Sequence, residues 1–437
     1  MKNAILMLFL MMPLLRPQVR AADGLDIQRS VELALRNNLD VKLAAASGSA
    51  QKTEALVSAA RLLPQVEFSL AESRTFRENL TALGFGALSG GGASLIGPFN
   101  TFDARLRLVV SVLDLSARGI ARSKKEEEKM AILRLDLVKE QITAAAALAY
   151  LDVLRGAAAE NSASAGRNLA SSLKALAENK HTAGSATGLD VVRAKTREAE
   201  ESLRVIRART ALEEARLRLK HLLGLPLAED TVLTEELSFS PDQPLDPGDA
   251  VRSALAARLE IAIARAGLSS GEYALKAAKG ARMPSVSVSG AAAMSGELPD
   301  HESKLVGDIG VSARLPLFAG GRIDAGIDGA LAVKFQAESR LSDSAVQVEE
   351  EVRRALYRLK ASADEVETAS MTVTLAEQEL EMARNRFAAG VGDNIELVNA
   401  QTSLSRASDL RVDALSRHKE SNILLTLALG RMKNLKF

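Results

Sequence analysis

The sequence predicts a mainly α-helical protein with a smaller β part, built from one unit of long helices and paired strands that occurs twice. Three observations support this. The chain of 437 residues has 11 prolines, but none lies within 99–225 or 317–437, and both windows are rich in strong helix formers. Landmark residues of the first half recur in the second half. Four segments outside the helical windows alternate apolar and polar residues.

The composition excludes several classes of protein. Lys and Arg (56) balance Asp and Glu (55), so the net charge of +1 offers no electrostatic footprint for nucleic acid. The chain has no cysteine, which excludes disulfides, thiol catalysis, thiolate metal sites and a cysteine-borne lipid anchor. A mean hydropathy of +0.03 argues against a bundle of membrane-spanning helices.

The N-terminus has the pattern of a secretory signal peptide at 1–21. Lys2 precedes an apolar run at 4–15, and the small residues at 19 and 21 have the usual spacing before a cleavage site that follows Ala21. The apolar run is too short for a permanent membrane span. Two arginines and two prolines interrupt the pattern, so an uncleaved tail is the alternative.

Two structural repeats are predicted, at 22–225 and at 248–437. They are joined by a connector at 226–247 that holds four of the prolines. A repeat of this length is a duplicated domain-sized unit, because solenoid repeats are far shorter. The matching landmarks are Val31, Leu35, Leu39 and Pro64 with Val251, Leu255, Leu259 and Pro284, followed by Gly184, Leu223 and Gly224 with Gly390, Leu429 and Gly430.

Each repeat contributes two predicted strands, at about 65–72, 104–112, 285–293 and 307–315. Their polar positions carry Gln, Glu, Arg and Ser. Alternation of this kind fits a sheet that lies on helices with its polar face in water. It fits equally the wall of a transmembrane barrel, apolar toward lipid and polar toward a lumen. Known outer-membrane barrels have at least eight strands, so the barrel interpretation requires several chains.

The helical windows predict two long helices and two shorter returning helices. The long helices would each extend roughly 95 Å, at 1.5 Å per residue. Helices of that length need a partner along their whole course, as in a coiled coil. A further helix is predicted before each strand pair. The predicted ranges are 118–180 and 322–386 for the long helices, 189–223 and 395–429 for the returning helices, and 25–62 and 248–281 for the helices before the strands.

This order of elements resembles the TolC family of outer-membrane efflux proteins over essentially the whole mature chain. The resemblance is carried by the Ala-Leu-Arg-Asn-Asn opening at 34–38, the strand-to-helix junctions at 112–118 and 315–322, the tip turns around Gly184 and Gly390, and the closing Leu-Gly pairs. The sequence departs from the family at Leu39 and its repeat Leu259, where proline is common. Aromatic residues for an interfacial girdle are few, and Phe99, Phe102 and Phe318 are the nearest candidates.

The resemblance implies a homotrimer whose twelve strands form one outer-membrane barrel, continued by an α-helical tunnel across the periplasm of a Gram-negative bacterium. The connector would lie in the equatorial region of the tunnel. Such a protein is a passive exit duct of a tripartite efflux or type I secretion system. Its expected partners are a periplasmic adaptor (membrane fusion) protein, an inner-membrane transporter and outer-membrane lipid. The loops at 72–104 and 295–307 would face outside, and the turns at 181–188 and 387–394 would face the inner membrane.

The resemblance also implies a periplasmic aperture at the second tip. Glu396 and Asn399 occupy the positions where acidic residues of the three chains form a ring, and Asp393 is close by. Asp190 and Arg193 are their equivalents in the first repeat. Three carboxylates around one axis raise each other's pKa and attract cations. The alternative is that Glu396 simply favours the start of its helix through the helix dipole.

The glycines of the two tips are the predicted adaptor-docking region. These are Gly184, Gly188, Gly390 and Gly392. Glycine permits backbone conformations with positive φ, so tight turn geometry alone explains their presence equally well.

No catalytic, metal or cofactor site is expected. The four histidines are scattered without a His-x-x-x-His pair, and no nucleophile elbow or phosphate loop is present. The principal alternative to a duct is a soluble periplasmic coiled-coil adaptor or scaffold protein. That alternative gives no reason for four amphipathic strands in two matched pairs.

Overall fold

The computed structural model describes residues 24–79, 95–96, 98–228, 232–241, 245–299 and 303–432. The predicted signal peptide and the glycine run of the first loop lie outside these residues. The first repeat contains α1 (Ile27–Asn37), α2 (Leu39–Ala60), β1 (Gln65–Thr75), β2 (Glu78–Asn79), β3 (Leu95–Ile96), β4 (Phe99–Leu113), α3 (Leu115–Thr182) and α4 (Gly188–Leu223). The second contains α5 (Pro247–Ala257), α6 (Leu259–Gly280), β5 (Ser285–Gly296), β6 (Lys304–Arg314), α7 (Arg322–Ala389) and α8 (Asn394–Ala428).

The helix before each strand pair is broken in two, so the prediction of single helices at 25–62 and 248–281 is wrong. Asn38 leaves the helical region with ψ 137°, and its side-chain oxygen accepts a hydrogen bond from the Asp40 amide at 2.8 Å. Asn38 therefore ends α1 and caps α2. Arg258 makes the same break in the second repeat with ψ 129°, and its guanidinium donates to the Ala428 carbonyl at 3.2 Å.

The four main strands form one antiparallel sheet in the order β1-β4-β5-β6. Pairing of β4 with β5 joins the two repeats, with Leu106 opposite both Phe68 and Ala292. The apolar face is exposed, since Phe68 is 67% and Ile309 88% accessible. Of the two alternatives for the strands, the sheet whose apolar face lies on helices is therefore excluded. The apolar face is free to meet lipid.

The opposite face of the sheet is polar and internally bonded. Arg105 of β4 forms ion pairs with Asp103 at 3.0 Å and with Asp308 of β6 at 3.9 Å. Hydroxyl pairs, Ser73 with Thr101 among them, join neighbouring strands on the same face. One face of the sheet thus suits hydrocarbon and the other suits water.

Helix α3 packs along α2, α4 and α6, and α7 packs along α6 and α8. With 68 residues each, α3 and α7 extend about 102 Å. Alanine is the most frequent residue at their buried positions and allows close approach of the helix axes; examples are Ala146, Ala147, Ala163, Ala170, Ala369 and Ala376. Among the helices that the structure describes, α3 is the one that contains a segment long enough and apolar enough to cross a membrane. More than half of that segment (56%) is buried in the protein.

The connector crosses the middle of α3. Leu233 of the connector forms a parallel bridge with Leu25, at the start of the first repeat. The hydroxyl of Tyr150, a fully buried residue halfway along α3, donates to the Leu25 carbonyl at 3.1 Å. Burial raises the pKa of Tyr150 to about 12, so this donor keeps its proton at physiological pH.

Candidate functional site

The first tip is the turn between α3 and α4, closed by hydrogen bonds of the backbone. Gly184 has φ 78°, and the Ser185 amide donates to the Lys180 carbonyl at 2.8 Å. Thr187 then caps α4 by accepting from the amide of Asp190. Helix α3 thus ends at a glycine with positive φ, and α4 begins with a capping box. Residues of the turn itself therefore determine its conformation.

Asp190 has a structural role in that capping box. Its carboxylate accepts from the Thr187 amide at 2.9 Å and from the Thr187 hydroxyl at 2.7 Å. Arg193 lies 3.9 Å from the same carboxylate. Hydrogen bonds from the Thr187 hydroxyl and amide, aided by Arg193, hold the pKa of Asp190 below its ordinary value. Asp190 is therefore ionised and held at the tip.

The second tip is the turn between α7 and α8. Gly390 has φ 77°, and the amides of Val391 and Gly392 both donate to the Arg386 carbonyl at 3.1 Å. A Cβ on Gly392 would lie 2.9 Å from the Cβ of Arg386, so the chain here has no room for a side chain. Asp393 caps α8 by accepting from the Ile395 amide at 3.1 Å.

Of the four tip glycines, two have the positive φ that favours glycine and one is required by close approach. Gly184 and Gly390 belong to the first kind and Gly392 to the second. Gly188 begins α4, and its nearest neighbour to an added Cβ is the His181 ring at 4.0 Å. Turn geometry therefore explains three of these glycines and leaves Gly188 without such a reason.

Glu396 stands in the first turn of α8 and is half-exposed. The Arg386 guanidinium on α7 donates to its carboxylate at 3.2 Å. Asn399 is exposed one turn further along the same helix. Arg386 was not identified from the sequence. The repeat does offer a signal, since Arg386 is the equivalent of Lys180 in the first tip.

The two tips contact each other through residues that the sequence analysis missed. The side-chain amide of Asn394, itself 3% exposed, donates to the Asp190 carbonyl at 3.0 Å. The Lys180 ammonium lies 5.0 Å from the centre of the Phe387 ring and also donates to the Phe387 carbonyl. Both contacts join the first helical hairpin to the second. Their partners are about 200 residues apart in sequence, so local patterns do not reveal them.

A buried ionic cluster connects the hairpins further from the tips. Glu201 of α4 is 1% exposed, and its carboxylate accepts from Arg197 at 2.6 Å and Arg204 at 2.9 Å. The hydroxyl of Ser405 on α8 donates to the same carboxylate at 2.9 Å. Arg204 also donates to Asp409 of α8 at 2.8 Å. Helices α4 and α8 are therefore joined through the carboxylates of both Glu201 and Asp409.

The aromatic candidates for an interfacial girdle lie at both ends of the sheet. Phe318 is 90% exposed in the junction between β6 and α7, while Phe99 and Phe102 are partly covered in the opposite end of β4. Within the residues that the structure describes, no group of histidine, aspartate and glutamate side chains has the arrangement of a metal site.

The sequence of this chain is similar to those of known outer-membrane export proteins. Residues 250–431 match the sequence profile of the family described as outer membrane efflux protein. The chain is 23% identical to the pyoverdine export outer membrane protein OpmQ of Pseudomonas aeruginosa, over 93% of this chain and 85% of that protein. It is 21% identical to the proteases secretion protein PrtF of Dickeya chrysanthemi, over 87% of this chain and 83% of that protein.

Two solved structures share the fold. The crystal structure of the outer membrane protein VceC from Vibrio cholerae has a TM-score of 0.81 with 19% identity, covering 92% of this chain and 96% of that one. The CmeC outer membrane channel of Campylobacter jejuni has a TM-score of 0.81 with 19% identity, covering 93% of this chain and 85% of that one.

Proposed function

We propose that the chain is a member of the outer membrane efflux protein family, whose profile matches residues 250–431, and that it is a passive exit duct through the outer membrane, extended by a tunnel into the periplasm. The observation that carries the proposal is the two-faced sheet. Its exposed face bears Val66, Phe68 and Ile309, whereas its other face bears bonded ionic and hydroxyl groups such as Arg105. A wall of this kind separates lipid from an aqueous passage.

The sheet continues directly into the helices, which supports one continuous wall. Strand β4 ends at Leu113 and α3 begins at Leu115. Asp114 between them caps the helix by accepting from the Ala117 amide at 2.8 Å. Helix α3 then extends about 102 Å from the sheet, several times the thickness of a bilayer's hydrocarbon core.

The edges of the sheet support assembly of several chains, and we propose the homotrimer that the family resemblance implies. In the single chain β1 and β6 are edge strands, and neither has a second partner in the sheet. Unpaired backbone groups in hydrocarbon cost several kcal/mol each, so the edges must pair with those of other chains. Two chains would supply eight strands and three chains twelve, so either number could close a barrel, and the resemblance favours three. Native mass spectrometry of the solubilised protein should give three chains per particle, and a monomer would contradict this assembly.

The proposed partners are a periplasmic adaptor protein and an inner-membrane transporter. Two relatives are described as a pyoverdine export protein and a proteases secretion protein, which supports a role as one component of an export system. Gly188 supports docking at the tips, since it is exposed and the turn geometry does not require it. Cross-linking from cysteines placed at 181–188 and 387–394 should capture the adaptor. The native chain has no cysteine, so the added ones are the reactive thiols.

Glu396 is the proposed cation-sensitive element of the aperture, and the paired Arg386 attenuates it. In planar bilayers Glu396→Gln should weaken block of the conductance by divalent cations. Arg386→Gln should strengthen the block, because it leaves the carboxylate of Glu396 without its cation. Unchanged block in both variants would exclude Glu396 from this role.

The duct itself is tested by fractionation and conductance. The protein should be recovered in the outer membrane, should migrate differently on gels before and after heating, and should conduct ions in planar bilayers. A soluble periplasmic protein without conductance would instead support the scaffold. The exposed apolar face of the sheet argues against that outcome.

A further inference from the structure

The first half of the connector is docked on the N-terminal segment of the chain and on α3. The Leu25 amide donates to the Val232 carbonyl at 2.9 Å, and the Thr234 amide donates to the Leu25 carbonyl at 3.3 Å. Leu237 packs against the hydrophobic cluster that contains Tyr150 of α3. Residues 232–237 therefore hold the start of the first repeat against the middle of α3.

The second half of the connector reaches the other hairpin. The centre of the Phe239 ring lies 4.9 Å from the centre of the His418 ring on α8. The Nε2 atom of His418 lies 3.4 Å from the Ser240 carbonyl oxygen. Since α3 belongs to the first hairpin and α8 to the second, the docked connector bridges the two hairpins.

Glu235 carries a carboxyl group in the middle of this docked segment. Its Oε2 atom is buried and has no hydrogen-bond partner among the residues that the structure describes. The carboxyl lies at the start of α1, where the Ile27 amide hydrogen-bonds to it. A buried polar atom without a partner costs free energy, and the cost is larger when the group is charged. The ionised form of Glu235 is therefore poorly accommodated in the docked connector.

The Tyr150 hydroxyl shows what a protonated carboxyl gains at this place. It donates to the Leu25 carbonyl at 3.1 Å and is also a hydrogen-bonding neighbour of the Glu235 carboxyl. A hydroxyl has one hydrogen, and a carbonyl oxygen can only accept. While Tyr150 donates to Leu25, its oxygen can still accept a hydrogen bond, which a protonated carboxyl can supply and a carboxylate cannot. Protonation of Glu235 thus completes a chain of donors from Glu235 through Tyr150 to Leu25.

The titratable groups around Glu235 come from the N-terminal segment, α3 and α8. Burial is the main cause that raises the pKa of Glu235 above its ordinary value, and the carboxylate of Asp26 adds to it. The two hydrogen bonds and the ammonium of Lys419 on α8 oppose this rise without cancelling it. Tyr150 keeps its proton at physiological pH, and His418 is a separate titratable group further along the connector. The direction of the shift agrees with the hydrogen-bond geometry, because both favour the protonated carboxyl.

We propose that Glu235 makes the docking of the connector dependent on a proton, so that the connector binds α3 and the start of α1 more tightly in acid than at neutral pH. The docked state favours the protonated carboxyl, so it gains stability as the pH falls through the raised pKa of Glu235. The gain is complete below the ordinary carboxyl pKa of about 4.3. Acidification therefore strengthens the bridge between the two hairpins. None of these residues belongs to the proposed aperture or to the sheet, so the device goes beyond conduction.

Hydrogen exchange of the full solubilised protein at about pH 4.5 and about pH 7.5 tests the proposal, with each rate divided by the intrinsic rate at that pH. Glu235→Gln is neutral at both pH values and keeps a donor and an acceptor in the place of the protonated carboxyl. Peptides 24–30 and 232–240 should be protected equally in the variant and the wild type at the lower pH. At the higher pH the variant should be about fivefold better protected, the lower end of the effect of an unsatisfied buried polar group. Comparison at equal pH cancels the titration of His418 and of other groups.

Glu236→Gln is the matched control, because Glu236 is the neighbouring carboxyl of the connector and is exposed. Its peptides should be protected as in the wild type at both pH values. The proposal is overturned by equal protection of Glu235→Gln and the wild type at the higher pH, by weaker protection of the variant there, or by the same gain in Glu236→Gln. If Glu235→Gln does not fold, the wild type decides alone, since protection of these peptides that fails to rise on acidification overturns the proposal.

Discussion

Replacement of the buried Glu201 by alanine should loosen the connection between α4 and α8. The carboxylate accepts three hydrogen bonds, two of them from guanidinium groups at 2.6 and 2.9 Å. Its removal leaves the side chains of Arg197 and Arg204, which are 13% and 23% exposed, with only their second partners, the carboxylates of Glu200 and Asp409. Loss of one partner of a buried ion pair costs about 3–5 kcal/mol. Water reaches both arginines in part, so we expect the lower end, about 3 kcal/mol.

Hydrogen exchange of the backbone amides is the appropriate assay. A local loss of about 3 kcal/mol raises the population of the open form roughly 100-fold, since 1.4 kcal/mol is a factor of ten. Peptides from 195–210 and 400–412 should therefore exchange about 100-fold faster at constant pH, whereas the residues around Tyr150 should keep their rates. Tyr150 lies in a separate hydrophobic cluster of α1, α3 and α4.

The neighbouring Glu200 provides a matched control. It is 59% exposed and pairs with the same Arg197 at 3.0 Å. Exposed ion pairs contribute roughly 0–1 kcal/mol, so Glu200→Ala should accelerate exchange by about fivefold or less. Equal effects of the two substitutions would refute the assignment of the hairpin connection to Glu201.

Three further predictions concern the tips. Asn394→Ala should cost about 1 kcal/mol through loss of a buried amide's hydrogen bond and should raise protease cleavage of the tips, while the exposed Asn399→Ala should not. The pKa of Asp190 is lowered by hydrogen bonding in the folded state, so its contribution is complete above the unfolded-state pKa and is lost as the pH falls through the folded-state pKa. The protection of amides at this turn, relative to their intrinsic exchange rate at the same pH, should therefore fall at acid pH, and Asp190→Asn should abolish that dependence. Gly392→Ala should destabilise its turn, because an added Cβ would lie 2.9 Å from the Cβ of Arg386. In Gly188→Ala the added Cβ would come no closer than 4.0 Å to the His181 ring, so the melting temperature in a thermal scan should fall by no more than about a degree.

Much of the architecture was predictable because it depends on local periodicity. Alternation at period two identified all four main strands, and the absence of proline identified the two long hairpins. The extents were less accurate, since β4 begins at Phe99 and α3 reaches Thr182. The breaks at Asn38 and Arg258 were missed, because neither residue interrupts a helical pattern in sequence and both are stabilised by capping or by distant carbonyls.

The candidate aperture was only partly predictable. Motif position drew attention to Glu396 and Asp190, but a motif does not say which partner a carboxylate has. The structure pairs Glu396 with Arg386 and commits Asp190 to the capping box. These pairings change the expected role of Glu396 and Asp190, since an ion-paired or capping carboxylate contributes less free negative charge to an aperture.

The sequence by itself determined the duplicated order of elements, the proline-free hairpins and the two-faced strands. Each depends on the spacing of residue types within a single element, which the backbone geometry of helices and strands converts directly into faces. Tertiary structure alone decided that no helix covers the apolar face of the sheet, that Asn394 and Lys180 join the two tips, and that Glu201 is buried between the hairpins. These contacts join residues some 200 positions apart, and their energies depend on burial and distance, which exist only after the two repeats have packed together.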